Sequence, residues 1–82
     1  MQSYHKSTSL ASEIRKKQET LRGLYGGYMT LADLTHELGF SSRKIALANA
    51  EIMGIPMTQI GKSKKFETDL VARRLVELRG MC

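Results

Sequence analysis

The chain has 82 residues, of which 41% are hydrophobic, with three tyrosines, two phenylalanines and no tryptophan. This length and composition predict one domain with a small aliphatic core. The formal net charge is +5. A balance this basic favours a polyanionic partner, and nucleic acid is the first candidate.

Positive charge is unevenly distributed along the chain. Residues 1–25 carry five basic and two acidic side chains, and residues 61–82 carry six and three. Between these ends the only basic residues are Arg43 and Lys44. The charge is therefore patterned rather than uniform, with one small basic cluster in the middle of the chain.

Cysteine usage and hydropathy predict the cellular compartment. Cys82 is the only cysteine, which excludes an internal disulfide and gives no support for an oxidising compartment. The first residues lack the apolar core of a signal peptide, and no apolar run approaches the length of a membrane span. We therefore expect a cytoplasmic protein with no membrane partner.

The N-terminal third of the chain predicts one helix. Residues 1–7 are polar and aperiodic and predict a flexible N-terminus, whereas residues 8–25 have apolar side chains at helical spacing. This apolar stripe consists of Leu10, Ile14, Leu21, Leu24 and Tyr25. It predicts a homodimer in which two copies bury this helix against each other. The alternative is that the helix folds back on its own domain.

A well-marked helix start follows the Gly26-Gly27 break. A helix is predicted over residues 31–38, where Thr30 and Asp33 have the spacing of a capping box. Met29 and Leu34 stand at the positions of a hydrophobic staple, which packs one side chain before the helix against one inside it.

A second short helix is predicted over residues 42–53, after a tight turn. Gly39 lies where the first helix must stop, because glycine adopts the left-handed conformation of a helix end at little cost. Ser41 is predicted to cap the second helix, and Arg43 and Lys44 open it. Two capped helices joined by a glycine turn are typical of a helix-turn-helix.

The second helix has many small residues, and its apolar pattern predicts which face is buried. Ile45, Ala48 and Ile52 are predicted to line the core, and Gly54 is predicted to end the helix. This prediction leaves three apolar side chains on the outer face: Ala46, Leu47 and Ala50.

A change from helical to alternating spacing then predicts a β-hairpin. Residues 57–60 and 65–67 are predicted strands, and residues 61–64 form the turn between them. Ile60 and Phe66 are predicted to face the core. Three lysines are predicted to project outward: Lys62, Lys64 and Lys65.

A last helix completes the predicted domain of residues 29–80. Thr68 is the predicted cap, and Asp69 lies in the first turn. The helix is predicted to reach Arg79, before Gly80. The hairpin between this helix and the helix-turn-helix has the position of a wing, and its lysines suit contacts to DNA phosphates.

Five runs of sequence occur in a defined order and spacing: Met29-Thr30-Leu31-Ala32-Asp33-Leu34, Leu38-Gly39-Phe40-Ser41, Ile55-Pro56, Ile60-Gly61-Lys62-Ser63-Lys64-Lys65-Phe66 and Asp69-Leu70. Together they resemble the winged-helix domain of excisionases and MerR-type regulators, over about residues 29–76. The resemblance implies a mainly α fold with a small β-hairpin, a winged helix-turn-helix, here preceded by an extra N-terminal helix. It also implies a double-stranded DNA-binding protein, a transcriptional regulator or a recombination directionality factor of a mobile element such as a phage or plasmid.

A helix-turn-helix places the start of its second helix in the major groove, which predicts the residues that contact DNA. Ser42 and Arg43 are predicted at base edges, because arginine binds guanine through two hydrogen bonds. Ser41 and Lys44 are predicted at phosphates, and Asn49 is a further candidate two turns along. The predicted contacts of the hairpin are Lys62, Ser63, Lys64 and Lys65, with a solvated loop as the alternative.

The sequence does not predict an enzyme. His5, His36 and Cys82 do not have metal-ligand spacing, and no phosphate-binding loop, nucleophile motif or carboxylate pair is present in the sequence. We therefore expect no cofactor, no metal and no small-molecule ligand.

The alternative function is a protein-interaction adaptor or accessory subunit that docks the same helices on a partner. Duplex DNA binding weakens steeply as salt rises, whereas hydrophobic docking does not, so salt dependence separates the two functions.

Overall fold

A computed structural model describes the backbone of residues 2–80 and the side chains of residues 10–79. Its elements, in chain order, are α1 (Gln2–Tyr25), β1 (Tyr28–Thr30), α2 (Leu31–Leu38), α3 (Arg43–Ile52), β2 (Thr58–Ile60), β3 (Ser63–Glu67) and α4 (Thr68–Gly80). The described part of the chain is thus mainly helical with a small antiparallel sheet, as predicted at this level. Cys82 lies outside the described residues.

The sheet has three strands in the order β1-β3-β2. The hairpin β2–β3 was predicted, whereas β1 was not, because three residues are too few for an alternating pattern to stand out. Tyr28 lies opposite Glu67, and Met29 lies opposite Phe66. Met29, Phe66 and Leu34 are fully buried in one core cluster, so both proposed staple residues are in the core.

The first helix begins earlier than predicted. α1 starts at Gln2, so the predicted flexible N-terminus of residues 1–7 is helical from Gln2, and Met1 lies outside the described residues. Residues 2–9 contain neither glycine nor proline, so nothing in them terminates a helix even though they lack an apolar period.

α1 folds back along α4, antiparallel to it. The Arg22 guanidinium donates to both carboxylate oxygens of Asp69, at 2.8 and 2.9 Å, at the start of α4. At the other end, Arg79 Nη2 lies 4.0 Å from Glu13 Oε1. Leu21, between these contacts, is fully buried in the core. The structure therefore shows the fold-back arrangement for this part of the helix.

α2 has the predicted bounds, and both of its ends are closed by hydrogen bonds. The backbone N–H of Asp33 donates to the Thr30 hydroxyl, and the backbone N–H of Thr30 donates to the Asp33 carboxylate, each at 3.0 Å. At the other end Gly39 has a φ of 75°, the left-handed conformation that glycine adopts without strain. Phe40 N donates to Thr35 O and Gly39 N to His36 O, the two bonds of a Schellman motif.

The cap of α3 is Ser42, and the predicted cap, Ser41, is wrong by one residue. The Ser42 hydroxyl oxygen accepts from the backbone N–H of Lys44 at 3.2 Å and from that of Ile45 at 3.5 Å. The Schellman motif occupies Gly39 and Phe40, so the chain needs Ser41 as a connecting residue before it enters the next helix.

The buried face of α3 is also different from the predicted one. Ala46 and Ala50 are buried, whereas Ile45 is 46% exposed and Ile52 is 81% exposed. Ala48 is exposed as well. Alanines on the inner face let α3 approach the rest of the core closely, and a core this small has no room for the two isoleucines. The outer face of α3 therefore carries larger apolar side chains than expected.

The hairpin turn has two residues rather than the four predicted. Ile60 pairs with Ser63, so Gly61 and Lys62 alone form the turn, and Lys64 and Lys65 belong to β3. Gly61 has a φ of 63°, as the first central residue of a type II′ turn requires. The register places Ile60 and Phe66 on opposite faces of the sheet, and Ile60 is 48% exposed rather than in the core.

The last helix begins at Thr68, as predicted, but the Thr68 hydroxyl does not cap it. Thr68 is fully buried, and its Oγ1 has no hydrogen-bond partner within the described part of the chain. Its backbone N–H donates to Gly27 O at 3.0 Å, which ties the start of α4 to the α1–β1 connection.

Candidate nucleic-acid interface

The start of α3 brings four of the predicted site residues together. Ser41, Arg43 and Lys44 are exposed, and Ser42 is half-buried because its hydroxyl oxygen caps the helix. The first backbone N–H groups of a helix carry partial positive charge, so this end of α3 favours an anion. Two cationic side chains and the helix end thus lie on one small surface.

The cations at this surface are not neutralised by carboxylates. Within the described residues, ion pairs are formed by Lys17 with Glu37, Arg22 with Asp69, Arg74 with Glu77 and Arg79 with Glu13. Neither Arg43 nor Lys44 takes part in one, and the same holds for the hairpin lysines. Their charge is therefore available to an external anion, whereas three of the four ion pairs link one helix to another.

Asn49 lies apart from this surface. It is half-buried, and its side-chain Nδ2 donates to Ile45 O at 2.9 Å, within its own helix. Because successive residues are about 100° apart around a helix, Asn49 is about 140° from Lys44. The structure therefore does not bring Asn49 onto the face that carries Lys44.

The four predicted hairpin residues do not share one face. Lys62 lies in the turn, and Lys64 is on the same face of β3 as the buried Phe66. Ser63 and Lys65 are on the opposite face, where Lys65 lies in register between Thr30 of β1 and Thr58 of β2. Lys62 is therefore at the tip of the hairpin, and Lys64 is on the face of the sheet that carries the core residue Phe66.

A groove lies between the C-terminal half of α3, the segment that follows it and Phe66 of β3. It has a volume of about 460 Å³, and its lining is largely apolar, with Leu47 and Glu51 from α3, Pro56 and Met57 from the following segment, and Phe66 from β3. The groove shows that Phe66, near the end of β3, lies close to the C-terminal half of α3. Glu51 is exposed at its rim and takes part in no ion pair within the described residues.

Arg74, which the sequence did not single out, orients α3 from the other side. Its Nε donates to Met53 O at 2.7 Å, at the C-terminal end of α3, and its Nη1 donates to Glu77 at 2.9 Å. α4 therefore holds the end of α3 through a side-chain contact. The adjacent Arg73 is exposed, and an Arg-Arg pair in a sequence does not indicate which member makes such a contact.

A second set of contacts fixes α2 to α1. Glu37 accepts from the Tyr25 hydroxyl at 3.0 Å and from Lys17 Nζ at 3.5 Å. Burial, and then this hydrogen bond to a carboxylate, raise the pKa of Tyr25 above its ordinary value. Likewise, the hydrogen bonds to Asp69 raise the pKa of Arg22. Both helices that flank the turn at residues 39–42 are thus anchored by polar contacts away from the exposed cations.

Within the described residues, no histidine, cysteine, aspartate and glutamate side chains form a group of three or more that could hold a metal ion. In the same part of the chain, no helix combines the length and the apolar character needed to cross a membrane.

Comparison with protein-family models, curated proteins and solved structures finds no match to this chain. The functional assignment therefore depends on the geometry described above.

Proposed function

We propose that the chain is a winged helix-turn-helix protein that binds double-stranded DNA. In this proposal α2 and α3 are the helix-turn-helix, and the β2–β3 hairpin is the wing. The observation that carries the proposal is the pair Arg43 and Lys44, exposed at the start of a ten-residue helix and without a carboxylate partner in the described chain. An α-helix with cations at its exposed N-terminal end suits the major groove of DNA.

Each exposed cation has a distinct part in the proposed complex. Arg43 approaches base edges, where its guanidinium is able to donate two hydrogen bonds to a guanine. Lys44, Ser41 and the helix end contact phosphates, which fixes the position of the protein on the duplex. Lys62 and Lys64 contact DNA phosphates beside the major groove. Lys65 lies on the other face of the sheet and contributes less to binding.

The proposed biological role follows from the resemblance to excisionases and MerR-type regulators. We propose a transcriptional regulator or a recombination directionality factor of a mobile element, such as a phage or plasmid. Both roles use the same contacts with duplex DNA and differ in the arrangement of binding sites along it.

A second function, docking on a protein partner as an adaptor or accessory subunit, is favoured by one observation. The outer face of α3 carries the exposed side chains of Ile45 and Ile52, and exposed apolar patches are typical of protein interfaces. The two functions differ in salt dependence, because phosphate contacts release counterions and hydrophobic contacts do not. An affinity that falls steeply between about 50 and 200 mM salt supports DNA as the partner.

The proposal is tested with Arg43→Ala and a duplex selected by the full-length chain from a randomised pool. We expect the substitution to weaken binding by about 1–3 kcal/mol and to relax the preference at one base position. Arg15→Ala is the matched control, since it removes one exposed arginine from α1 and should change affinity little. Unchanged affinity of Arg43→Ala for the selected duplex would contradict the assignment of α3.

A further inference from the structure

The outer face of α3 is an apolar strip. Ile45, Ala48 and Ile52 are separated by three and four residues, so they lie on one side of the helix, opposite the buried Ala46 and Ala50. Each of the three is exposed. Their side chains present only hydrocarbon groups, so the strip itself offers no hydrogen-bonding group to a base edge or a peptide.

One cation and one carboxylate border the strip. Lys44 is exposed at its N-terminal end, about 100° around the helix from Ile45. Glu51 borders it on the side of the groove lined by Leu47 and Phe66. In the proposed complex the side of α3 opposite the core enters the major groove of DNA, so these apolar side chains meet the floor of the major groove, where the apolar groups of the bases are methyl groups.

Thymine is the base that supplies such methyl groups, because its C5-methyl projects into the major groove. Ile45 and Ile52 are seven residues apart, about 10 Å along the helix axis at 1.5 Å per residue. This length is about three base-pair steps of 3.4 Å. The strip is thus long enough to contact thymines on three or four consecutive base pairs.

We infer that Ile45, Ala48 and Ile52 read DNA sequence by packing against thymine methyl groups in the major groove. This inference rests on the proposed function. It assigns base preference along the outer face of α3 to apolar contacts. The preferred duplex then has thymines at the positions that face α3, on either strand.

The inference is tested by removing the methyl groups from the DNA. The full-length chain selects a duplex from a randomised pool, and its thymines are then replaced by deoxyuridine, which differs only in lacking the C5-methyl. Removal of each methyl group that packs against the strip should lower affinity about fourfold, so we expect a decrease of about tenfold or more for the whole site.

A paired variant assigns the effect to the strip. Ile45→Ala/Ile52→Ala should bind the thymine and deoxyuridine duplexes equally, because the side chains that distinguish them are gone. Both isoleucines are exposed, so this variant should keep the thermal unfolding midpoint of the parent. Leu24→Ala is the control, since it truncates another exposed apolar side chain, on α1, and should keep the preference for thymine.

The possible failures are distinguishable. Equal affinity of the parent for the two duplexes, or a selected site without thymine, would overturn the inference and leave DNA binding intact. A parent chain that enriches no duplex at low salt would overturn the proposed function itself. A change in self-association on Ile45→Ala/Ile52→Ala, with the thymine preference unchanged, would assign the strip to a second copy of the chain and overturn the inference.

Discussion

At the scale of single residues, the core contains a hydroxyl group whose burial is unfavourable. Thr68 Oγ1 has no accessible surface for water and no hydrogen-bond partner within the described residues. Burial of an unsatisfied hydroxyl costs free energy, because the hydrogen bonds it made to water in the unfolded chain are not replaced.

Thr68→Val should therefore stabilise the protein. Valine keeps the branched shape and removes the unsatisfied hydroxyl, so we expect the free energy of unfolding to rise by about 1 kcal/mol. Urea unfolding followed by circular dichroism measures it. Thr35→Val is the matched control, because the Thr35 hydroxyl donates to Leu31 O at 2.7 Å and its removal should not stabilise. A lower midpoint for Thr68→Val would show that its hydroxyl is satisfied in solution.

Tyr25 gives the protein a predictable response to alkaline pH. Its folded-state pKa is raised, by burial and by the hydrogen bond to Glu37. The folded state thus favours the neutral phenol more than the unfolded state does. The resulting contribution to stability is fully present below the unfolded pKa of about 10 and is lost as pH rises through the folded pKa.

Tyr25→Phe should lower the free energy of unfolding near pH 7 by about 1 kcal/mol, through loss of the hydrogen bond. It should also make the fall in stability above about pH 10 less steep than in the parent. Chemical unfolding at a series of pH values measures both effects. Tyr28→Phe is the control, since this exposed residue should tolerate the change at pH 7. An alkaline profile identical to that of the parent would contradict the role of Tyr25.

At the scale of elements, the hydrogen bonds at the ends of α3 fix its position. The Schellman motif at Gly39 and Phe40 sets the turn, Ser42 caps the first turn of the helix, and Arg74 holds the last carbonyl. These contacts use backbone groups, the Ser42 hydroxyl and Arg74, and they do not involve the side chains of Arg43 and Lys44. The hairpin is fixed by the pairing of β3 with β1 and by the burial of Phe66 in the core, and its lysines are oriented by strand register.

For the proposed complex with DNA, strand register predicts which hairpin lysines contact phosphates. Lys62→Ala/Lys64→Ala should weaken binding to all duplexes alike and reduce the slope of log affinity against log salt by about two, one unit for each phosphate contact. Lys65→Ala is the control within the same strand, and it should change the slope little because Lys65 lies on the opposite face. An equal effect of Lys65→Ala would show that the hairpin meets DNA by its other face.

At the scale of the whole molecule, α1 completes the core of the domain. Leu21 is fully buried in the same cluster as Met29 and Phe66, and Arg22 and Tyr25 bind residues of α4 and α2. Residues 29–80 therefore share their core with the preceding helix. A core this small loses a large part of its buried apolar surface if α1 is removed.

Removal of α1 should therefore abolish cooperative folding. A chain that begins at Gly26 lacks Leu21 and the contacts of Arg22, and it should show no cooperative thermal transition by circular dichroism. In the full chain, Leu21→Ala should lower the free energy of unfolding by about 2–5 kcal/mol. Leu24→Ala, at a position 65% exposed, should lower it much less. A shortened chain as stable as the parent would show that α1 is dispensable.

The homodimer through the N-terminal helix stays a prediction. Leu21 packs within its own chain, and Ile14 is half-buried, so a dimer of this kind has mainly the exposed Leu10 and Leu24 to bury. Sedimentation equilibrium of the full chain at high micromolar concentration measures it.

The sequence by itself determined the features that depend on neighbours along the chain. The bounds of α2 follow from Thr30, Asp33 and Gly39, because capping boxes and left-handed helix ends are made by residues a few positions apart. The exposed cations at Arg43 and Lys44 were also predictable, since a charged side chain without a buried partner remains at the surface.

Only the tertiary structure decided the features that depend on residues distant in sequence. Which side of α3 is buried depends on how closely α3 approaches the rest of the core, and alanines allow an approach that isoleucines do not. The strand β1 depends on pairing with β3, and the position of α1 depends on contacts with α4; the residues in these contacts lie 35 to 47 positions apart along the chain. The face of the sheet on which Lys64 and Lys65 each lie depends on the two-residue turn. A shift of one residue in register would move each of them to the opposite face.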